Sequence, residues 1–237
     1  HGTKDAVKIA QIAFTYIGTV VGAGFASGQE IIQFFTKYGA AAVITIFCAS
    51  VLFIWVGTKM MLIAHKIQAY SYEDLNCHLF GDRAGRLISY TMMIMLFFIT
   101  SVMLAGAGSV FLEQFHFPYQ AGLLLTLVLV YIVIVRGVDA ILAVNSIVVP
   151  LVLLFSVVIV IAALQSPHAD YWLTWPGAKE DLRFFASPLL YVGFNLALAQ
   201  AVLVPIGSSI QRKSQLYWGG IAGGCGIGLL LLAAHIS

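Results

Sequence analysis

The sequence predicts an all-α polytopic membrane fold with two interrupted helices, and three observations predict it. Hydrophobic residues make up 61% of the 237-residue chain and charged residues only 9%, against roughly 25% charged in an ordinary soluble domain. The apolar residues fall in successive runs long enough for a hydrocarbon core of about 30 Å, which takes about 20 helical residues. Two of those runs carry helix breakers at their middle. Mean hydropathy, at +0.97, agrees with a chain that lives in lipid.

Helices are expected near 8 to 36 (interrupted), 39 to 60, 86 to 112, 118 to 135, 138 to 164, 182 to 208 (interrupted) and 216 to 236, seven crossings with short connections. The first has no charge between Lys8 and Glu30, yet its middle reads Gly18-Thr19-Val20-Val21-Gly22-Ala23-Gly24-Phe25-Ala26-Ser27-Gly28-Gln29-Glu30. Each interior glycine costs about 1 kcal/mol of helix stability relative to alanine. Unpaired peptide groups at membrane depth survive only where they line a cavity or hold something, so a break here is a functional clue. Between Ile67 and Arg86, Tyr72-Glu73-Asp74-Leu75 and Leu79-Phe80-Gly81 predict a short amphipathic helix ended by glycine. It reads as a connector on the inner membrane surface that buries Leu75, Leu79 and Phe80. Gly106, Ala107 and Gly108 in the third helix are expected to pack beside the first. Asp139 suits the dipole at the start of the fifth. Gly219, Gly220, Gly223, Gly224 and Gly228 give the seventh overlapping small-xxx-small spacings for close packing.

Positive charge stays on the cytoplasmic side. With the N-terminus inside, Lys4, Lys8, Lys59, Lys66, Arg83, Arg86, Arg136, Arg212 and Lys213 are cytoplasmic, against Lys37, Lys179 and Arg183 outside. Tyr171, Trp172 and Trp175 in the outer loop suit the headgroup level. The expected location is a bacterial inner (cell) membrane, multi-pass, with the lipid bilayer as partner. The first apolar run is too long for a cleavable signal peptide and lacks a small-residue cleavage site. Cys48, Cys77 and Cys225 form neither a disulfide framework nor a zinc spacing. A net charge of +2 with scattered basic residues gives no nucleic-acid patch. His65, His78, His116, His168 and His235 show no metal-ligand spacing, and no catalytic set lines up. An enzyme and a bound cofactor are therefore not expected.

The sixth run contains Pro188, Tyr191, Val192, Gly193, Phe194, Asn195 and Pro205. Setting Val21–Gln29 over Val192–Gln200 matches valine, glycine, alanine and glutamine at a constant offset. Five crossings separate the two starts, so the segments enter the membrane from opposite sides. Interrupted helices in two oppositely oriented halves point to a secondary transporter with an inverted repeat and a midplane site. A half-helix starting near Ala23 would offer free N–H groups and a positive dipole end to a carboxylate. Free carbonyls around Gly18 to Val21 would suit an ammonium or a sodium ion. A small zwitterionic solute such as an amino acid carries both charges, and binding it by backbone avoids the cost of a buried charged side chain. The expected substrate site comprises Val21, Gly22, Ala23, Gly24, Phe25 and Ser27 with Tyr191, Gly193, Phe194 and Asn195. Possible sodium ligands are the Gly18 and Val21 carbonyls.

The glycine-rich run through Glu30, the Tyr191-Val192-Gly193-Phe194-Asn195 segment and Asp139-Ala140-Ile141-Leu142-Ala143-Val144-Asn145 together resemble the YkvI-type bacterial membrane proteins. These are similar to the amino acid–polyamine–organocation transporters, whose LeuT-like fold is two inverted repeats of five helices. The first-helix pattern Gly18-x-x-x-Gly22-x-Gly24 also resembles the break in amino-acid antiporters of that superfamily. The resemblance covers essentially the whole chain. It implies a first repeat over 1–164 and the start of a second, truncated one over 165–237. About ten helices are implied where seven are present, so the chain is expected to be a piece of a longer protein. The helix that completes an ion site in sodium-coupled relatives is absent, which leaves coupling by Na+ or H+ unassigned.

Glu30 is a candidate for gating, for pairing with a cation or for carrying a coupling proton. At about 1.5 Å per residue it also lies only about 9 Å from the expected exit near Thr36, where a wet vestibule would solvate it. Gln29 and Gln200 read equally as gating candidates or as interhelical hydrogen-bonding residues. Asn195 could ligate solute or heal a break. Asn145 and Ser146 face either the cavity or a neighbouring helix. The leading expectation is a secondary active transporter working by alternating access. The alternative is a non-transporting membrane receptor or sensor subunit of the same fold.

Overall fold

A computed structural model describes residues 2–21, 29–167 and 182–237. The described residues build α1 (Gly2–Val20), α2 (Gln29–Phe34), a 3-10 turn (Thr36–Ala41), α3 (Ala42–Leu52), a π turn (Phe53–Gly57), α4 (Thr58–Ile67), α5 (Tyr72–Phe80), α6 (Asp82–Phe115), α7 (Tyr119–Val135), α8 (Val138–Leu164), α9 (Leu182–Ser209) and α10 (Lys213–Ile236). Both residues flanking the π turn keep right-handed helical angles, so α3 and α4 form one rod with a one-residue expansion. Among the described residues five stretches are long and apolar enough to cross a membrane: Thr36–Ile67, Asp82–Phe115, Val138–Leu164, Phe184–Ser209 and Lys213–Ile236. α7 is a shorter apolar helix. The chain is an all-helical polytopic membrane protein, and Ile147, Leu151, Leu154 and Phe155 of α8 show the outward apolar side chains that such a protein presents to lipid.

By packing, the chain forms two compact units, His1–Tyr70 with Leu142–Ser237, and Ser71–Ile141. These are units of contact, whereas the expected division after residue 164 is one of repeat.

In the first unit α10 is the hub, and its glycines explain why. On one side Gly219 meets Ile12, Gly223 meets Tyr16 and Gly226 meets Ile17, so α1 and α10 run parallel. On the other, Gly228 meets Ser50, Gly224 meets Ile54 and Gly220 meets Thr58, so the α3–α4 rod runs antiparallel to α10. A Cβ on Gly223 would lie 2.5 Å from the Tyr16 ring. In lipid no hydrophobic force pulls helices together, and close approach through small residues supplies the dispersion that does. The Ser50 hydroxyl adds a hydrogen bond to the Gly224 carbonyl at 3.1 Å. α9 lies along the α3–α4 rod, with Tyr191 at Phe53 and Gly207 at Met61 and Ala64. α9 is therefore parallel to α3–α4 and opposite in direction to α1.

In the second unit α5 is the expected amphipathic helix, bounded by a Ser71 N–H bond to the Asp74 carboxylate (3.2 Å) and by Gly81 at φ 82°, a left-handed angle that glycine adopts without strain. Gly85 of α6 lets the backbone of Cys77 approach. Asn76, fully buried, donates to the Ser89 hydroxyl at 3.0 Å. Leu75 is buried, but Leu79 and Phe80 are 48% and 57% exposed, contrary to expectation. The face of α5 turned to α6 has room for Leu75 and Asn76, which leaves the last turn's apolar side chains outward. Gly108 likewise finds its neighbour in Tyr119 of α7, where packing beside α1 was expected, and a Cβ on Gly106 would meet nothing within 4 Å.

Candidate functional site

The site is built where α1 stops. The last described backbone bond of that helix runs from the Val21 N–H to the Ile17 carbonyl at 2.8 Å, and the next described helix is Gln29–Phe34. Gly22, Ala23, Gly24, Phe25 and Ser27 lie outside the described residues, and Gln29 is described only as a residue of α2. Gly18, one turn before the stop, packs on Asn145 and Val149 of α8, and a Cβ there would collide with the Asn145 amide oxygen. Two residues singled out separately in the sequence thus meet at the end of α1. Ser146 instead donates to the Leu142 carbonyl at 2.6 Å, one turn back in its own helix.

Tyr191 is 2% exposed and is the centre of an aromatic cluster. Its ring lies 5.0 Å from Phe35, 5.6 Å from Phe34 and 6.1 Å from Phe53, mostly edge to face, a geometry favoured by the ring quadrupoles. Phe53 continues the cluster to Tyr16 at 6.5 Å. The Tyr16 hydroxyl, fully buried, donates to the Phe53 carbonyl at 2.6 Å, and the absence of a side chain at Gly57 makes room for it. The expansion of the rod at Phe53–Gly57 is therefore where α1 locks onto α3. Ser187 of α9 donates to the Phe34 carbonyl and ties the end of α2 to α9. Glu30, half-buried on α2, is within electrostatic reach of Tyr191. The cluster thus joins α2, the π turn and α9, and through Phe53 it reaches Tyr16 of α1, four residues before that helix ends.

The expected break in the sixth crossing is corrected. α9 is helical from Leu182 to Ser209, straight through Tyr191–Asn195, with Pro188 and Pro205 inside it. Each proline removes one backbone donor, a loss that a spanning helix tolerates while the rest of its ladder stands. Asn195 donates to the Tyr191 carbonyl at 2.9 Å, and the Ser208 and Ser209 hydroxyls both donate to the Pro205 carbonyl. Asn195 is engaged with its own helix. Gly193 and Phe194 point outward, Phe194 at 44% exposure, so the structure does not bring them to Tyr191.

Gln200 is buried, and its amide oxygen has no hydrogen-bond partner among the described residues; the Thr15 and Thr58 hydroxyls are in the same condition. Sequence reasoning had placed Gln200 among the candidates. It missed Tyr16, Phe34, Phe35, Phe53 and Ser187. Gly57 was the only local sign of the Tyr16 contact, and a lone glycine in an apolar run does not name its partner. Among the described residues no group of three or more His, Cys, Asp or Glu side chains is placed to hold a metal.

At the start of α1, Asp5 pairs with Arg212 at 2.6 Å and accepts from Gln215 at 2.7 Å. These bonds fasten the start of α1 to the start of α10.

No protein-family model and no solved structure matches the chain. It is 41% identical over 231 residues to the uncharacterized membrane protein YkvI of Bacillus subtilis (strain 168), covering 96% of this chain and 65% of that protein. It is 28% identical over 214 residues to the uncharacterized protein YyaD of the same organism, covering 90% of this chain and 61% of that protein. The chain spans less than two thirds of the length of either relative. The similarity to YkvI extends along nearly the whole length of this chain.

Proposed function

We propose that this chain is part of a secondary active transporter for a small amino-acid-like solute, working by alternating access in a bacterial cell membrane with its N-terminus in the cytoplasm. The observation that carries this reading is the end of α1 at Val20, inside an apolar stretch, with Gly18 against Asn145 and Tyr16 joined through Phe53 to the Tyr191 ring. A helix that stops there leaves peptide groups that lipid cannot satisfy, and a zwitterion supplies complementary charges for both ends of such a gap. The directions of four rods add support. Exchanging α1 with α9, and α3–α4 with α10, carries the packed parallel pair α1 and α10 onto the packed parallel pair α9 and α3–α4. Such a relation is what an inverted, LeuT-like repeat requires.

The continuous α9 narrows the site. Backbone recognition falls to the stretch between Val20 and Gln29, and α9 contributes Tyr191 and the buried Gln200 as side chains. The test is flux. Purified protein in vesicles should accumulate or exchange radiolabelled amino acids from an equimolar mixture of the twenty. Saturable binding without movement across the vesicle wall would favour the sensor reading, and neither binding nor flux would remove the solute site altogether.

A further inference from the structure

The first unit carries two belts of aromatic and cationic side chains, one at each end of α10. At one end the Lys59 ammonium of α4 lies 5.9 Å over the Trp55 ring, and Tyr217 and Trp218 at the start of α10 meet edge to face at 5.5 Å. All four side chains are exposed. Gly220 packs on Thr58, so the two pairs stand within about one helical turn of each other in height. At the other end the exposed Lys37 lies 5.0 Å over the Tyr38 ring, Tyr38 meets Phe184 at 5.3 Å, and Phe185 beside it is exposed. The Thr36 hydroxyl, 3.4 Å from the His235 ring, fixes this belt at the last turn of α10. From Trp218 to His235 α10 rises about 26 Å at about 1.5 Å per residue, close to the roughly 30 Å of a hydrocarbon core. Charge agrees with these limits. Among the described side chains of the unit, Lys4, Asp5, Lys8, Lys66, Arg212 and Lys213 lie beyond the first belt, and Glu30, within reach of Tyr191, is the exception between the two.

From this we infer that the two belts are lipid-headgroup sites, in which the Lys59 and Lys37 ammonium groups each take a phospholipid phosphate, in opposite leaflets, and that α1 ends at the midplane between them. A lysine on a spanning helix lays its apolar stem along the hydrocarbon and carries its charge to the headgroups. Tyrosine and tryptophan, apolar with one polar edge, prefer the same level. A ring on one side of an ammonium leaves its other N–H groups for an anion. The depth of α1 follows from register. Tyr16 packs on Gly223, so Val20, one turn on, stands level with Ile227 of the parallel α10, about 13 Å from either belt. α1 thus stops where the bilayer is least able to satisfy free peptide groups. The inference does not depend on whether the chain moves a solute or senses one.

Depth and phosphate contact are tested separately. Nitroxides on Trp218→Cys, Leu229→Cys and Phe185→Cys, each in a variant with Cys48, Cys77 and Cys225 replaced by serine, report depth in phosphatidylglycerol vesicles through the ratio of oxygen to nickel-complex accessibility. Leu229, exposed and within a turn of the Val20 level, should be the deepest and the other two shallow. A maximum at Trp218 or Phe185 overturns the placement. Melting of the detergent-solubilised chain against added phosphatidylglycerol reads the contacts. Lipid should raise the wild-type midpoint, and inorganic phosphate at the same concentration should leave it unchanged. Lys59→Gln and Lys37→Gln should each need about 5-fold more lipid for half of the rise, the usual worth of one lysine at an anionic surface, and Lys59→Arg should match the wild type. An unchanged lipid requirement in either glutamine variant overturns the assignment of its belt, and a rise with inorganic phosphate alone overturns the lipid as partner. Equal midpoints for the variants and the wild type before lipid is added show that the variants are folded.

Discussion

α1 and α9 are both apolar spans sprinkled with breakers, yet one stops and the other continues. α9 carries Pro188, Gly193 and Pro205, spaced so that each local loss falls in a separate turn, while Asn195, Ser208 and Ser209 add side-chain bonds to the Tyr191 and Pro205 carbonyls of the same helix. After Val20 the glycines crowd instead: Gly22, Gly24 and Gly28 fall within seven residues, with only Ser27 among them to offer a hydrogen bond. The difference teaches that breaker content is a poor guide and breaker spacing a better one. Proline removes one bond from a ladder that is otherwise intact. Clustered glycines lower the stability of every bond in the same turn.

The strongest way to break this comparison is to make α1 resemble a continuous helix. Replacing Gly22, Gly24 and Gly28 together by alanine adds about 3 kcal/mol of helix propensity across one short stretch. Hydrogen exchange at residues 20 to 29 should slow in the triple variant, and amino-acid binding should fall by up to about 100-fold, since about 1.4 kcal/mol is a factor of ten. Retained binding with slowed exchange would mean that the solute does not use the backbone between the two helices.

A smaller effect is expected where α1 is anchored. Tyr16→Phe removes the hydroxyl that donates to the Phe53 carbonyl while keeping the ring against Phe53 and Gly223. Leaving a buried acceptor without its donor costs about 1–3 kcal/mol, read as a lower thermal midpoint in detergent. An unchanged midpoint would show that the expanded turn at Phe53–Gly57 supplies the carbonyl with another partner.

How much of this could be read in the residues follows the same division between local and non-local physics. The apolar runs, the helix over Tyr72–Phe80 and its stop at Gly81 are local and were legible. The glycines of α10 were legible as a packing surface, but nothing in Gly219 names Ile12 or in Gly220 names Thr58, because each contact is fixed by two helices at once. The expected opening at Tyr191–Asn195 failed for a comparable reason. A proline, a glycine and an asparagine read as breakers one at a time, and only the folded helix shows the Asn195 amide turned back on the Tyr191 carbonyl. Of the candidate site, Gly18 and Asn145 were each visible, and their meeting was not. Tyr16, Phe34, Phe35 and Phe53 carried no sign beyond being aromatic in an apolar chain, where aromatic residues are ordinary.

The finest test of the contrast is Gly193→Ala. A Cβ at this position of α9 would meet nothing within 4 Å, and the residue lies within a helix that runs unbroken on both sides. With no clash to offset it, the gain in helix propensity should stabilise the protein by about 0.5–1 kcal/mol, a small rise in thermal midpoint. If α9 must open at Tyr191–Asn195 during a transport cycle, the same alanine would stabilise the closed form and slow exchange flux even as the midpoint rises. A rise in both stability and flux, or no change in flux, assigns α9 the part of a rigid wall.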